Sequence, residues 1–277
     1  MFKLTCYEIP EAGRTAKGTA IVNLLQLDGG EKVTTVIPVD ENQGGNLVMA
    51  TKNGVIKKTA LSEFSNMRAS GLIAVTLRED DELIGVALTD GTRELLLGTR
   101  QGMSIRFHED NIRLMGRSAM GVKSMELDPG DEIVSMSLVH EGTQVLTVSE
   151  NGYGKRTPVE EYRVQSRGGK GIKAMQLTDK TGLLAALMLV REEEDVMMIS
   201  DDGTIIRTAV ADISTQSRST QGVRMMRLAG DSRVTLEFYM PVGFAEANPG
   251  VRADAGRVAV RCSCRRGTGC RPWLSGR

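Results

Sequence analysis

The sequence predicts an all-β protein, built as a propeller-like array of four-stranded blades. Three features indicate this fold: motifs that recur about every fifty residues, short β-rich apolar runs inside each repeat, and hairpin-type turns between the runs. Blades of this kind stack radially, so that each covers the edge of its neighbour. A helical solenoid is not predicted, because no window of about eleven or more residues keeps a helical period.

The first motif occurs in four repeats. It consists of a turn glycine, a cation four residues later and a large apolar residue ten residues later. The glycines are Gly54, Gly102, Gly152 and Gly203, the cations are Lys58, Arg106, Arg156 and Arg207, and the apolar residues are Phe64, Ile112, Tyr162 and Ile213. A period of about fifty residues follows from this alignment.

The second motif is a glycine that an arginine precedes by three or four residues. The pairs are Arg68 with Gly71, Arg117 with Gly121, Arg167 with Gly171, and Arg218 with Gly222. A fifth copy, Arg14 with Gly18, lies in the opening segment. We therefore expect repeats near residues 1–50, 51–100, 101–150, 151–201 and 202–240.

Each repeat holds short apolar runs of the kind that form strands. Examples are "IAVTL", "LIGVAL" and "ELLLG", and Asn-Gly, Asp-Gly or acidic turns separate such runs at hairpin spacing. Four short strands in about fifty residues are typical of a propeller blade.

The composition is that of a soluble globular protein. Of the 277 residues, 40% are hydrophobic, enough to bury a substantial core. No apolar run approaches the roughly 18 residues of a membrane helix, and the N-terminus lacks the pattern of a signal peptide. We expect a cytoplasmic location.

The charge is balanced overall but unevenly distributed. Lys and Arg number 35, as do Asp and Glu, yet residues 237–277 hold seven arginines and three acidic residues, which leaves the remainder slightly acidic. A nucleic-acid partner would therefore have to bind a local stripe of cations rather than the bulk charge.

The cations of the first motif are candidates for such a stripe. Stacked blades bring equivalent positions to one rim, where DNA offers one charge per about 1.7 Å of its axis. The candidates are Lys57, Lys58, Arg106, Lys155, Arg156 and Arg207, to which the second motif adds Arg68, Arg117, Arg167 and Arg218. For the strand cation and the loop arginine of any single repeat, the alternative is that they lie on a solvated strand face and in an ordinary turn.

The stretch "QSRGGKG" at 165–171 is richer in glycine than the other copies. Gly168 and Gly169 would let backbone N–H groups approach a phosphate, while Arg167 makes forked contacts and Lys170 a point-charge contact. A plain flexible turn is the alternative. The stretch is not a nucleotide-binding P-loop, because the GxxxxGK[ST] pattern is absent.

Patterns for catalysis and metal binding are missing. GxSxG and HExxH do not occur, and the two histidines have no recurring partner, so we expect neither an active site nor a cofactor in this chain. The cysteines of "CSCRRGTGC" lack the usual spacing of zinc ligands. Residues 241–277 match no repeat, and we interpret them as a disordered tail, with a basic nucleic-acid-binding tail as the alternative.

Several stretches resemble a known family. "MATKNGVIKKTALSEF", "ENGYGKRTPVEEY", "QSRGGKG", "STQGVRMMRL" and "YEIPEAGRTAKGTAIVNLLQL" are similar to the C-terminal domain of the A subunit of bacterial DNA gyrase, over about residues 3–240. The resemblance implies a β-pinwheel, a propeller-like ring whose strands swap between neighbouring blades and whose outer rim binds and wraps double-stranded DNA. Residues that match the family's QRRGGKG box are Gln165, Arg167, Gly168, Gly169, Lys170 and Gly171, with Ser166 in place of its first arginine.

The family's box lies in the first blade, whereas here the match stands in a late one. We therefore expect a β-pinwheel of about five four-stranded blades over residues 1–240, with an incomplete ring. The resemblance implies a noncatalytic role in ATP-dependent negative supercoiling, within an A2B2 complex of the gyrase A and B polypeptides, where ATP and magnesium act in other parts. The C-terminal domain of topoisomerase IV and a protein-binding β-propeller are the alternatives.

Overall fold

The computed structural model describes residues 1–13, 16–27, 33–39, 44–68 and 70–240. Arg14 of the second motif and the predicted tail at 241–277 lie outside these residues. Helical structure in the described residues is limited to short 3-10 turns, labelled η1 (Cys6–Glu8), η2 (Ile21–Asn23), η3 (Leu61–Phe64), η4 (Glu109–Asn111), η5 (Val159–Glu161) and η6 (Val210–Asp212). None of these is long or apolar enough to span a membrane.

The rest of the fold consists of short strands. They are β1 (Asn46–Thr51), β2 (Val55–Ala60), β3 (Leu83–Thr89), β4 (Glu94–Thr99), β5 (Met103–His108), β6 (Val122–Lys123), β7 (Ile133–Val139), β8 (Gln144–Ser149), β9 (Tyr153–Pro158), β10 (Ile172–Lys173), β11 (Leu184–Val190), β12 (Asp195–Ser200), β13 (Ile205–Ala209), β14 (Val223–Arg224) and β15 (Val234–Met240). Pairing between these strands is antiparallel.

The strands form four sheets in the described part of the chain. Their orders are β3-β1-β2-β6 in sheet 1, β7-β4-β5-β10 in sheet 2, β11-β8-β9-β14 in sheet 3 and β15-β12-β13 in sheet 4. The first strand of each order is the inner one, because β7 contacts β3 and β11, and β11 contacts β15. The outer strands β6, β10 and β14 come from the following repeat, so neighbouring repeats exchange strands as the resemblance implied.

Apolar side chains fill the space between successive sheets. Val48 and Ile56 of sheet 1 share a fully buried cluster with Leu95 and Phe107 of sheet 2. Equivalent clusters lie between sheets 2 and 3 and between sheets 3 and 4. Strands β2 and β9 are consequently buried along almost their whole length, whereas β13 is mostly half-exposed.

The predicted all-β, pinwheel-type fold is confirmed. The four turn glycines of the first motif all have left-handed φ values, from 76° to 84°, in the hairpins that join the two central strands of each sheet. The described residues contain four sheets, and the described part of residues 1–39 contains η1 and η2 but no strand. Leu72 nevertheless donates its N–H to the Met1 carbonyl oxygen at 2.9 Å, so this segment lies beside the first repeat.

We expect Gly152→Ala to destabilise the protein more than Gly203→Ala. Both glycines have left-handed φ values, a conformation that costs an alanine about 1–2 kcal/mol. A β-carbon at position 152 would also lie 2.6 Å from the Met226 carbonyl oxygen, whereas at position 203 nothing lies within 4 Å. Urea unfolding should show only the backbone cost for Gly203→Ala. Equal losses for the two variants would contradict the tight contact between repeats.

Candidate nucleic-acid interface

Four outer loops carry the arginines of the second motif. They are residues 65–71, 113–121, 163–171 and 214–222, named outer loops 1 to 4, with residue 69 of loop 1 outside the description. Loops 2, 3 and 4 each form a parallel bridge to the central strand beside which the exchanged strand lies. The bridged pairs are Lys58 with Leu114, Arg106 with Val164 and Arg156 with Thr215. They then lead into β6, β10 and β14, so they lie at the outer edge of sheets 1 to 3.

Hydrogen bonds join consecutive outer loops through the segments between them. The Thr76 hydroxyl donates to the Ser118 carbonyl oxygen at 2.9 Å. The Gly168 N–H donates to the Ser124 carbonyl oxygen at 2.6 Å, and the Gln176 N–H donates to Thr220 at 3.0 Å. The outer loops therefore form one continuous edge rather than four separate turns.

The glycines of "QSRGGKG" differ in what they do. Gly168 has a φ of 86°, which favours glycine, while Gly171 faces the Ser104 carbonyl so closely that a β-carbon would collide with it. Gly169 has neither constraint, because its φ is ordinary and the nearest atom to a β-carbon there is 3.9 Å away. Gln165 is half-buried and donates its N–H to the Arg106 carbonyl at 2.9 Å, which holds the start of the loop.

The Lys170 side chain extends from outer loop 3 into solvent. Its side chain is 63% exposed, and its Nζ lies 3.2 Å from the Asp128 carboxylate, which is itself more than half exposed. A solvent-exposed pair of this kind is worth little, typically below about 1 kcal/mol. The ammonium group is therefore available to a stronger anion such as a phosphate.

Arg167 and Arg218 occupy equivalent places in outer loops 3 and 4. Arg167 donates from Nη1 to the Lys123 carbonyl oxygen at 3.0 Å, and Arg218 donates from Nη1 to Lys173 at 2.8 Å. Each guanidinium group thus lies against the short strand of the neighbouring repeat. Of the other two predicted arginines, Arg68 is exposed and Arg117 is half-buried in outer loop 2.

The cations of the first motif do not lie where the sequence predicted. Lys57, Lys58, Lys155 and Arg156 are buried, and Arg106 is largely covered. The predicted exposed stripe is therefore wrong for these five residues. The physical reason is the strand exchange, which lays the next repeat over the strand that carries them.

Three of these cations bind backbone carbonyl groups of the next repeat. Lys58 donates to Glu109 at 2.9 Å, Arg106 to Val159 at 2.8 Å, and Arg156 to Ile213 at 2.7 Å. The acceptors lie in or directly after η4, η5 and η6. The repeated cation therefore joins one sheet to the next.

Arg207 is the copy of this cation in sheet 4, and it is exposed. No further 3-10 turn covers it in the described residues, and its Nε donates to the Asp195 carboxylate of its own sheet at 2.9 Å. Its environment differs because no following repeat packs on β13 within the described part of the chain.

Three exposed cations were not among the predicted site residues. They are Lys123, Lys173 and Arg224, each the second residue of an exchanged outer strand. They stand beside the outer-loop arginines along the same edge. A signal existed in the sequence, because a cation follows the motif glycine by two residues in "GVK", "GIK" and "GVR".

Tyr153 orients the last of these cations. Arg224 donates from Nη2 to the phenol oxygen at 2.8 Å, and the Lys180 ammonium lies 5.2 Å from the ring centroid. The hydrogen bond from Arg224, aided by both positive charges, holds the pKa of Tyr153 below its usual value. The cationic edge therefore continues onto sheet 3.

Four antiparallel sheets, three of them completed by a strand from the following repeat, define a β-pinwheel of the propeller class. A family model described as "DNA gyrase C-terminal domain, beta-propeller" matches residues 1–40, 45–90, 93–140, 143–191 and 194–237. The chain belongs to this family.

Individual relatives agree with the family match. The DNA gyrase A subunit of Halalkalibacterium halodurans is 60% identical over 235 residues, which cover 84% of this chain and 28% of that protein. Its counterpart in Clostridium acetobutylicum is 49% identical over the same shares. The chain thus spans little more than a quarter of the length of these relatives.

Solved structures have the same fold. The crystal structure of the C-terminal domain of DNA topoisomerase IV superposes with a TM-score of 0.77 at 26% identity, covering 82% of this chain and 71% of that one. The structure of a DNA gyrase A C-terminal domain superposes with a TM-score of 0.74 at 24% identity, covering 82% and 76%.

We expect Arg156→Ala to destabilise the protein strongly and Arg207→Ala to have little effect. Removing the buried Arg156 leaves the Ile213 and Ala211 carbonyl groups without its N–H donors, a loss of roughly 2–4 kcal/mol. Arg207 holds only a surface ion pair, worth about 1 kcal/mol or less. Chemical denaturation of both variants measures the difference. A stability of Arg156→Ala equal to that of the parent would contradict the joining role of this cation.

Proposed function

We propose that this chain binds double-stranded DNA along its outer loops and bends it. The observation that carries the proposal is the continuous edge of outer loops 2, 3 and 4, where an arginine and a strand cation recur at equivalent positions. The pairs are Arg117 with Lys123, Arg167 with Lys173 and Arg218 with Arg224. We assign this activity to residues 1–240 as one DNA-binding unit.

A repeated cationic edge suits a polyanion that must be curved. Bending 20–30 base pairs by 40–90° costs of order 1–6 kcal/mol, so one loop cannot supply enough contacts to offset it. Equivalent loops on successive blades offer one set of phosphate contacts after another along a curved path. This geometry favours wrapping over binding to a straight duplex.

Binding of this kind is independent of base sequence. The proposed contacts are made by arginine, lysine and backbone N–H groups, which meet phosphates and carry no base information. Because the body of the chain is slightly acidic, attraction is confined to the outer edge and falls steeply with salt. We expect neither an active site nor a cofactor to take part.

Within a larger assembly, we propose a noncatalytic role in a type II topoisomerase, DNA gyrase. The chain would act with the rest of the gyrase A polypeptide and with the gyrase B polypeptide in an A2B2 complex, where ATP and magnesium serve other parts. A bent duplex would then be presented with one handedness to strand passage, so that negative supercoils accumulate. A cytoplasmic, chromosome-associated location accompanies this role.

A role in topoisomerase IV is the alternative within the same fold class. The structural likeness to that enzyme's C-terminal domain is at 26% identity, whereas identity to a gyrase A polypeptide reaches 60%. The sequence "QSRGGKG" in outer loop 3, which resembles the QRRGGKG box of the gyrase family, also favours gyrase. A protein-binding propeller is less well supported, since the outer edge is cationic and poor in the aromatic residues common in protein interfaces.

Binding and bending are tested with the 277-residue chain and two kinds of DNA. Electrophoretic titration compares a linear duplex with a minicircle of the same sequence. A protein that bends DNA should prefer the minicircle, whose curvature is already present. Equal weak binding to both, without salt dependence, would overturn the proposed function.

We expect the double variant Arg167→Ala, Lys170→Ala to flatten the salt dependence of binding. Each lost phosphate contact removes about 0.9 from the slope of log K against log salt, so the pair should remove roughly 1.8. The loss should be the same for DNA of any sequence. A slope equal to that of the parent would mean that outer loop 3 is only a turn.

The matched control is the double variant Arg93→Ala, Arg191→Ala. It removes the same charge from two loops that join an inner strand to the central strand of the next sheet and that are not outer loops. Its slope should remain that of the parent. A similar decrease in both double variants would indicate a general charge effect rather than a contact at outer loop 3.

We expect Gly169→Val to weaken DNA binding while the fold is kept. The position has open space and an ordinary φ, so a side chain fits there in the free protein but would block a phosphate from the backbone. Loss of one hydrogen bond to a charged group corresponds to roughly a tenfold lower affinity. Fluorescence anisotropy measures the affinity, and thermal melting checks the fold.

Gly44→Val is the matched control for this substitution, because Gly44 is equally open and lies just before β1. Its DNA affinity should equal that of the parent. Unchanged DNA affinity of Gly169→Val would mean that no phosphate contacts the backbone of outer loop 3 at this position.

A further inference from the structure

Two buried lysines hold the backbone of outer loops 2 and 4. The side chains of Lys57 and Lys155 are almost completely inaccessible. The Lys57 ammonium donates to the carbonyl oxygens of Ala74, at 2.6 Å, and Arg117. The Lys155 ammonium donates to those of Ser217 and Arg218. In both cases one acceptor is the carbonyl group of the outer-loop arginine itself.

The same position carries a different residue in alternate repeats. The third residue after the turn glycine is a lysine in sheets 1 and 3. In sheets 2 and 4 it is an isoleucine, Ile105 and Ile206. Ile105 lies under outer loop 3, where its β-carbon is 3.4 Å from the position of a β-carbon on Gly171. Outer loop 3 is therefore packed on an apolar side chain and has no buried ammonium beneath it.

The buried ammonium acts in opposite ways on the backbone and on the side chain of the outer-loop arginine. The buried ammonium attracts the arginine's carbonyl oxygen but repels the guanidinium group of the same residue. Burial lowers the pKa of Lys57, and the positive charge of Arg117 lowers it further. The arginine is thus held through its backbone, and its side chain lies half-buried at the outer edge, where that of Arg218 donates to the Lys173 carbonyl.

We propose that Lys57 and Lys155 are positioning residues for DNA binding, which present Arg117 and Arg218 to the phosphate backbone from beneath outer loops 2 and 4. The inference rests on the proposed function and deepens it. Neither lysine touches DNA, because both are buried. Outer loop 3 is presented by a different means, through its glycines and the hydrogen bonds of Arg167.

A purely structural role makes a different prediction. A buried charge is costly to desolvate, and replacing it by an apolar side chain of similar length is often neutral or stabilising. Lys155→Met removes that desolvation cost but also the N–H donors of the Ser217 and Arg218 carbonyl groups. Because Ser217 is exposed and water can reach it, the melting temperature should fall less than in Arg156→Ala, while DNA binding weakens. A residue that only supported the fold would lower stability and binding together.

The test is a double-mutant cycle between Lys155→Met and Arg218→Ala. In the linear-duplex titration, each single variant should lower the salt slope by about 0.9, because each removes the same phosphate contact. The double variant should also lower it by about 0.9. A decrease of about 1.8 in the double variant, or none in Lys155→Met, would overturn the proposal.

Pairs across different loops are the controls. Lys57→Met should couple to Arg117→Ala in the same way, whereas Lys155→Met combined with Arg117→Ala should be additive, near 1.8. Ile105→Met should leave the contribution of Arg167 unchanged. Coupling of Lys155 to Arg117 as strong as to Arg218 would mean that the lysine acts on the whole fold, and would overturn its assignment to one loop.

The pH dependence of DNA binding supplies a second readout. Burial lowers the pKa of Lys155 to about 8, with Glu161 opposing the shift and Arg218 adding to it. An unfolded lysine titrates near 10.4, so the unfolded chain binds more protons between these values and this group's contribution to stability rises with pH. The hold on outer loop 4 weakens as Lys155 of the folded protein loses its proton at about pH 8, because an amine donates weaker hydrogen bonds than an ammonium.

DNA affinity of the parent should therefore fall from about pH 7 to about pH 9.5 more steeply than that of Lys155→Met, without a loss of thermal stability. Identical pH profiles for the two proteins would overturn the proposal. If the parent itself shows no salt-dependent binding at any pH, the proposed function fails instead, so the two failures are distinguishable.

Discussion

The contact on which the structure depends is the one between a strand cation and the carbonyl groups of the next repeat. Lys58, Arg106 and Arg156 each reach across to a short 3-10 turn that begins the following outer loop. The Glu109 and Val159 carbonyl groups begin their turns and also accept the N–H that closes each turn, so the cation adds a second hydrogen bond there, whereas Ile213 directly follows its turn. This contact, together with the exchanged strand beside it, sets the distance and orientation between successive blades.

The same contact sorts the chain's cations into two groups with different surroundings. On the central strands of sheets 1 to 3, the cations are buried or largely covered and donate to carbonyl oxygens inside the protein. Those on the exchanged strands are exposed, and the outer-loop arginines beside them are half-buried or exposed. A chain with no net charge can therefore present a cationic edge, because the field outside depends on which charges reach solvent and not on their sum.

The repeats are not interchangeable along that edge. Outer loops 2 and 4 lie over buried lysines, whereas outer loop 3 lies over Ile105 and carries three glycines in their place. A loop held through its backbone by a charge presents one arginine in a defined direction. A glycine-rich loop with open space at Gly169 can instead bring its backbone to the ligand. Under the proposal above, two modes of presenting cations alternate along outer loops 2, 3 and 4.

Much of the fold could be predicted from the sequence, because its determinants are local and repeated. The turn glycines, the apolar runs and the fifty-residue period specify hairpins wherever they occur, and the arginine loops follow from the same alignment. The resemblance to a family added the strand exchange, which no single repeat contains.

Which cations face solvent was decided only by the tertiary structure. Lys57 and Lys123 both follow a motif glycine on a short β-rich stretch, yet the first is buried and the second exposed. A strand residue's exposure depends on what packs over it, and here the covering segment comes from the next repeat, roughly sixty residues away in the case of Lys57 and Arg117. The sequence by itself determined that cations recur at these positions, and long-range packing between repeats decided which of them a phosphate can reach.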